Sequence, residues 1–175
     1  MELHPILPAE RNVLRTLYRR AFPPDELLSW STLERLAREG KAELLTVWDN
    51  GPAGILVTFP TPELVLGVFL AILPERRCGG IGTTVLETVR SRYAPRPVCL
   101  EIEAPEEPGA PNPEQRRRRK GFYLRNGCKC IAKMHIYGAD MELLATDDTV
   151  TFEAYRGILR RVFGGHYTDT HLIPR

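Results

Sequence analysis

Cysteine is scarce in this sequence and poorly spaced for chemistry. The four residues Cys78, Cys99, Cys128 and Cys130 form no C-x-x-C pair, and His135, His166 and His171 do not stand at finger-like distance from the last two, so no metal site is expected. Met1, Glu2, Leu3, His4 and Pro5 lack a basic start followed by an apolar run, which gives no sign of an oxidising compartment, and the thiols are expected to be free. No stretch approaches the roughly 20 apolar residues of a membrane span. Charge of one sign is missing too: 24 Lys plus Arg stand against 22 Asp plus Glu, a net of +2, a field too weak to name a nucleic acid or a membrane as partner. The expectation is a soluble, cytoplasmic protein with one domain over 1–165 and a tail over 166–175 that is ordered only in part.

What is present is a regular alternation of patterns. Val13, Leu14, Leu17, Tyr18 and Ala21 predict a helix over Arg11 to Ala21, stopped by Pro23 and Pro24. A second helix is predicted over Ser31 to Glu39, ending at Gly40. Ala42 to Trp48 and Ala53 to Phe59 read as strands of a hairpin across Asp49-Asn50-Gly51-Pro52. The apolar run Leu64 to Leu73 predicts a strand buried on both faces, followed by a helix over Thr83 to Arg92 and a parallel strand over Pro97 to Glu103. Ala104 to Pro113 is an exposed, proline-rich connection. A helix over Pro113 to Asn126, strands over Lys129 to Tyr137 and Met141 to Ala145, and a helix over Phe152 to Phe163 capped by Thr151 complete the reading. The fold class is α/β (α+β), a mixed central sheet flanked by helices.

Two segments carry chemistry. Between the long apolar strand and the next helix stand Arg77, Cys78, Gly79, Gly80, Ile81 and Gly82, an R-x-x-G-x-G at a helix N-terminus. First-turn amides point outward there, the helix dipole is positive and glycines admit a ligand close to the backbone, which suits a pyrophosphate; a tight turn with no ligand is the plain alternative. There is no G-K-[ST] of a P-loop and no G-x-G-x-x-G with an acidic residue placed for a ribose. The second segment, Gln115 to Lys129, reads QRRRRKGFYLRNGCK. Arg116, Arg119 and Tyr123 fall at i, i+3 and i+7 on one helical face, and Arg117, Arg118 and Lys120 read as a solvated basic face.

The first segment resembles the acyl-CoA signature of the GNAT superfamily, and the Phe122-Tyr123 pair followed by Asn126-Gly127 resembles that family's second hallmark. The resemblance implies an N-acetyltransferase acting on a primary amine with acetyl-CoA as co-substrate. The amides of Arg77, Cys78, Gly79, Gly80, Ile81 and Gly82 would hold the pyrophosphate, and Leu70, Ala71 and Ile72 would pair with the pantetheine arm. Cys78 stands where the pattern commonly has glycine. Tyr123 matches the tyrosine that protonates the departing thiolate, although core packing with its hydroxyl bonded to backbone is the reading of that residue taken alone. Asn112 resembles an asparagine that bonds the cofactor, and Arg116 and Arg119, if they line the channel, would meet CoA phosphates and lower the Tyr123 pKa.

A base is also needed. Cys99, Glu101 and Glu103 share one side of their strand, and a carboxylate on a central strand marks either a function or an ion pair. Glu101 is the first candidate and Glu103 the second. A backbone N–H near Ile72 would polarise the thioester carbonyl. The amine acceptor would be shaped by the first two helices, with Phe22, Asp25 and Trp30, and by the loops around Pro60 to Pro62 and Gly138 to Asp140. Two other functions stand beside the enzyme: an inactive acyl-CoA-binding sensor, and an RNA-binding domain using Arg116 to Lys120, against which the missing aromatic platform speaks. The partners expected are acetyl-CoA and an amine acceptor, with no nucleic acid and no membrane, and with a homodimer among the arrangements left open.

Overall fold

The computed structural model describes every residue except Pro23, Asp25, Glu26, Cys78 and Gly79. The chain forms two compact units, Met1–Pro60 with Gly67–Ala94, and Thr61–Leu66 with Pro95–Arg175.

In the first unit the strands β1 (Glu2–Pro5), β2 (Glu43–Trp48), β3 (Pro52–Pro60) and β4 (Val65–Ile72, from Gly67 on) lie in that order. β1, β2 and β3 pair antiparallel. The β2–β3 turn is built on Asn50 and Gly51, both at positive φ (53° and 135°), the conformation for which Asn-Gly is selected. Helix α1 (Arg11–Ala21) buries Leu14, Leu17 and Tyr18, and α2 (Trp30–Arg38) buries Trp30, Leu33 and Leu36. Ser29 caps α2 by accepting from the Thr32 amide at 3.1 Å, one helical position earlier than the periodicity alone suggests. Helix α3 (Ile81–Tyr93) buries Val85, Leu86, Val89 and Tyr93.

In the second unit β4 begins beside β5 (Val98–Glu103): the Val65 amide donates to the Pro97 carbonyl at 3.0 Å. Two strands that start side by side run in the same direction, so the sheet is mixed. The order continues through β7 (Ala139–Ala145) and β6 (Lys129–Ile136) to β8 (Ile173–Pro174), all antiparallel. Helix α4 (Pro113–Arg125) starts with proline at its first position, and α5 (Phe152–Phe163) with the Thr151 hydroxyl accepting from the Ala154 amide at 3.1 Å. Helix α6 (Gly165–His171) follows. The α/β class with mixed strands and flanking helices is thus the observed one.

Three expectations change. β4 is buried on both faces only at its start, through Leu64, Val65 and Leu66; from Gly67 on, buried Phe69 and Ala71 alternate with half-buried neighbours, so only one face is core. The β6–β7 turn lies at Tyr137 and Gly138, both at positive φ (58° and 76°), which extends β7 back to Ala139. The tail is ordered: Thr168 and Leu172 are buried, Asp169 pairs with Arg156 and Arg160, and Ile173 and Pro174 pair with His135 and Met134. Cys99, Cys128 and Cys130 are in no disulfide. Among the described residues no helix is long and apolar enough to cross a membrane.

Candidate functional site

The strand-to-helix turn of the first unit is shaped by a close approach. Leu70 and Ile72 are half-buried and Ala71 is buried. Opposite them Gly54 of β3 leaves no room for a side chain: a Cβ there would collide with the Ala71 carbonyl oxygen and lie 2.8 Å from Ile72 Cδ1. A glycine inside a strand is explained by such an approach. We expect Gly54→Ala to cost about 1–3 kcal/mol by overpacking, read as a shifted midpoint in chemical denaturation with an unchanged slope.

Beyond Ile72 the chain makes one 3-10 turn, Pro74–Arg76. The Arg77 amide is taken there, donating to the Pro74 carbonyl at 3.2 Å. Arg77 instead offers its side chain, whose Nε donates to the Ile72 carbonyl at 3.0 Å, while Arg76 donates to the Asp49 carbonyl. Cys78 and Gly79 lie outside the described residues. Gly80 sits before α3 at φ 81°, ψ 8°, with open space where a Cβ would stand, and its carbonyl accepts from the Thr83 amide at 2.9 Å. Only glycine holds that left-handed conformation without strain. Among the described residues no acceptor takes the amides of Gly80, Ile81 and Gly82. Amide donors at the positive end of a 13-residue helix suit an anion. Beside them a cleft of about 340 Å³ is lined by Asp49, Glu75, Arg76, Arg77, Ile81 and Thr84, with Met1.

The basic helix of the second unit turns out differently from its sequence reading. Arg116 does not face outward; it is 4% exposed. Its Nη2 donates to Glu103 Oε1 at 2.7 Å, its Nη1 to Glu107 and to the Ala104 carbonyl (3.2 Å), and its Nε to Asn112 Oδ1 at 3.0 Å. The Asn112 side chain thus faces Arg116 and caps no amide of α4. Arg119 donates to the other oxygen of Glu103 at 2.9 Å and remains partly exposed. The Arg116 guanidinium and the Asp140 amide hold the Glu107 carboxyl below its ordinary value. This cluster pins the proline-rich connection to the end of β5. It also engages both oxygens of Glu103 with cations. Lys120 pairs at 2.8 Å with Glu142, which is fully buried, so it too departs from the solvated face expected of it. Arg117 and Arg118 are exposed.

Tyr123 projects from α4 against Leu100, Ile102, Cys128 and Leu144, with Phe122 edge-on at 5.2 Å. Burial raises its pKa above the ordinary value, and Arg119 opposes this without prevailing; the expected lowering by the arginine stripe is therefore reversed, because desolvation outweighs a cation already shared with Glu103. Among the described residues no hydrogen bond holds its hydroxyl, so the backbone partner of the core-packing reading is not there. Glu101 faces away from this cluster and accepts from the Tyr155 hydroxyl of α5 at 2.7 Å. Cys99, on the same side, is fully buried, and burial followed by the Glu101 charge pushes its thiol far up, which suits packing and not nucleophilic attack. The structure thus separates the two candidate bases, Glu103 to a pair of arginines and Glu101 to a tyrosine.

Of the residues read toward the acceptor, Trp30 is buried edge-on to Tyr18, and Phe22 packs on Phe69 at 5.0 Å; Asp25 lies outside the described residues. Two residues escaped the sequence reading. Gly54 carried a signal, a glycine inside an apolar strand pattern. Tyr155 carried none, being one apolar position among several on α5.

The sequence matches no family model and no curated protein. Solved structures do match. A Bacteroides thetaiotaomicron protein assigned to the GNAT family as an acetyltransferase superposes with a TM-score of 0.79 at 25% identity, over 94% of this chain and 99% of that one. An aminoglycoside 6'-N-acetyltransferase solved with coenzyme A gives a TM-score of 0.62 at 16% identity over 83% and 96% of the two chains. A Bacillus subtilis acetyltransferase solved with CoA gives 0.59 at 18%, again over 83% and 96%. The latter two share the fold, and the first matches nearly end to end at higher identity. With Gly80 before α3 and Phe122-Tyr123 in the last turns of α4, the chain has the fold of the GNAT acetyltransferases over nearly its whole length.

Proposed function

We propose that this protein moves an acetyl group from acetyl-CoA to a primary amine by direct attack. The observation that carries the reading is that, among the described residues, no acceptor takes the amides of Gly80, Ile81 and Gly82 at the start of a long helix. These donors would hold the diphosphate, and Leu70, Ala71 and Ile72 would align the pantetheine arm as an added strand. The likeness to acetyltransferases solved with coenzyme A supports the same ligand here.

Each remaining step falls to a residue of this chain. Glu101 takes the proton from the acceptor ammonium, directly or through water, and becomes a neutral carboxylic acid. The freed nitrogen lone pair forms the new bond to the acetyl carbonyl carbon, whose oxygen is stabilised by a backbone N–H near Ile72. As the carbon–sulfur bond breaks, Tyr123 gives its proton to the departing thiolate, and the second proton of the acylated nitrogen returns to the Tyr123 phenolate, directly or through water, leaving a neutral amide and a thiol. No covalent enzyme intermediate is needed, in keeping with the buried, uncharged Cys99.

Titration calorimetry with acetyl-CoA, followed by thiol release against a panel of polyamines, aminoglycosides, amino acids and peptide amines, tests the reading. We expect saturable binding and turnover of at least one amine. Absence of binding overturns the proposal, and binding without turnover on any amine makes the chain a sensor of the cofactor. Gly54→Ala, which shifts the backbone at Ala71 and Ile72, should weaken acetyl-CoA binding in the same calorimeter.

A further inference from the structure

We propose that Tyr155 is a positioning residue for Glu101, holding its carboxylate in the orientation in which it receives the acceptor's proton. The inference rests on the reading of Glu101 as base. Tyr155 comes from an element with no part in the chemistry, and everything about its setting fixes it. Thr151 caps α5 and accepts from the Tyr155 amide at 3.2 Å. Tyr155, Ile158 and Leu159 form the buried face of the helix, and Tyr155 is 0% exposed. A ring anchored on that face can place its hydroxyl in only a small region.

That hydroxyl is a polar group in a dry interior, where lacking an acceptor is costly, and its acceptor is Glu101 Oε1 at 2.7 Å. The bond has the length of a charge-assisted one. Burial and the neighbouring Glu101 charge both push the phenol far up, so Tyr155 remains a donor at every working pH and does not compete for the proton Glu101 receives. Among the described residues the Cys99 thiol from β5, kept neutral, and the Tyr137 phenol from the β6–β7 turn also act on this pair; Leu143 of β7 lies directly across from Glu101. The contrast with Glu103, two residues along the same strand, is chemical: two cations engage that carboxylate, whereas Tyr155 orients Glu101 without adding a charge.

The test uses the full chain and an amine that turns over. In Tyr155→Phe the ring volume is kept and the donor lost, so kcat is expected to fall about tenfold with the KM for acetyl-CoA unchanged. The acidic limb of the pH–rate profile should move up by about one unit, because the ionised carboxylate has lost the Tyr155 donor. Should that variant fail to fold, fluorotyrosine at 155 keeps the shape and strengthens the donor, and the limb should move to lower pH. A folded variant whose acidic limb coincides with that of the wild type overturns the positioning role. Glu101→Gln separates the two ideas: a fully active Glu101→Gln removes the base and this inference with it, while an inactive Glu101→Gln beside an unshifted Tyr155→Phe leaves the base and removes only the positioning role.

Discussion

Arg116→Ala should lower the stability of the protein by about 3 kcal/mol, the low end of the range seen when one partner of a buried ion pair is removed, because Glu103 keeps Arg119 and Glu107 keeps the Asp140 amide. The side chain of Arg116 is 5% exposed and those of Glu103 and Glu107 are 14% and 21% exposed, so water can reach neither carboxylate fully once the cation is gone. For a chain of this size the loss corresponds to a drop in Tm on the order of 10 °C. Glu107→Gln should cost far less, since the amide oxygen still accepts from the Asp140 backbone (3.1 Å in the present structure) and Arg116 keeps Glu103. Differential scanning calorimetry of the two variants checks the ranking. If Arg116→Ala melts with the wild type, the arginine is not the clamp described above and an outward, phosphate-facing role returns to consideration.

The same cluster has an acid signature. The Glu107 carboxyl is held below its ordinary value near 4.5. A depressed carboxylate contributes stability that is fully present above its unfolded pKa and is lost as pH falls through the folded value. Arg116 is the largest cause of that depression. The stability gap between wild type and Arg116→Ala should therefore narrow as pH falls below about 4.5.

How far such features could be read beforehand depended on how local they are. The bounds of α1 and α5 follow from residues a few positions apart, such as the apolar stripe of α1 and the Thr151 cap, and both helices lie where these place them. β1 is four residues, ELHP, with neither end buried, too short for a period of two to stand out, and it exists because Trp48, Val47, Thr46 and Leu45 offer it a strand to pair with. α6 and β8 likewise depend on partners in α5 and β6. The glycine turn was legible because a left-handed residue before a helix needs glycine, and Gly80 meets that need. The fate of the arginines was not legible: periodicity puts Arg116 and Arg119 on one face of α4, but only the tertiary fold brings Glu103 and Glu107 within reach and turns that face from a ligand surface into an internal lattice. The Glu101–Tyr155 bond joins residues 54 apart, beyond any local pattern.

Tyr123→Phe is the variant that bears most directly on the chemistry. Its ring contacts with Leu100, Ile102, Cys128, Leu144 and Phe122 do not involve the hydroxyl, and no hydrogen bond among the described residues is lost, so stability should change by less than about 0.5 kcal/mol. Acetyl-CoA affinity should hold for the same reason. The thiolate, however, would leave without its acid, and kcat should fall by about 10²-fold or more, the usual contribution of a positioned acid. The wild-type profile supplies an independent check of sign. An acid acts in its protonated form, so its rate declines only as pH rises through its pKa, and burial has moved that of Tyr123 above its ordinary value near 10. Activity should show no alkaline decline between neutrality and about pH 10. A decline centred near pH 8 would mean that some other group delivers the proton. A Tyr123→Phe protein with wild-type kcat would mean that solvent protonates the thiolate and that the hydroxyl of Tyr123 has no part in the reaction.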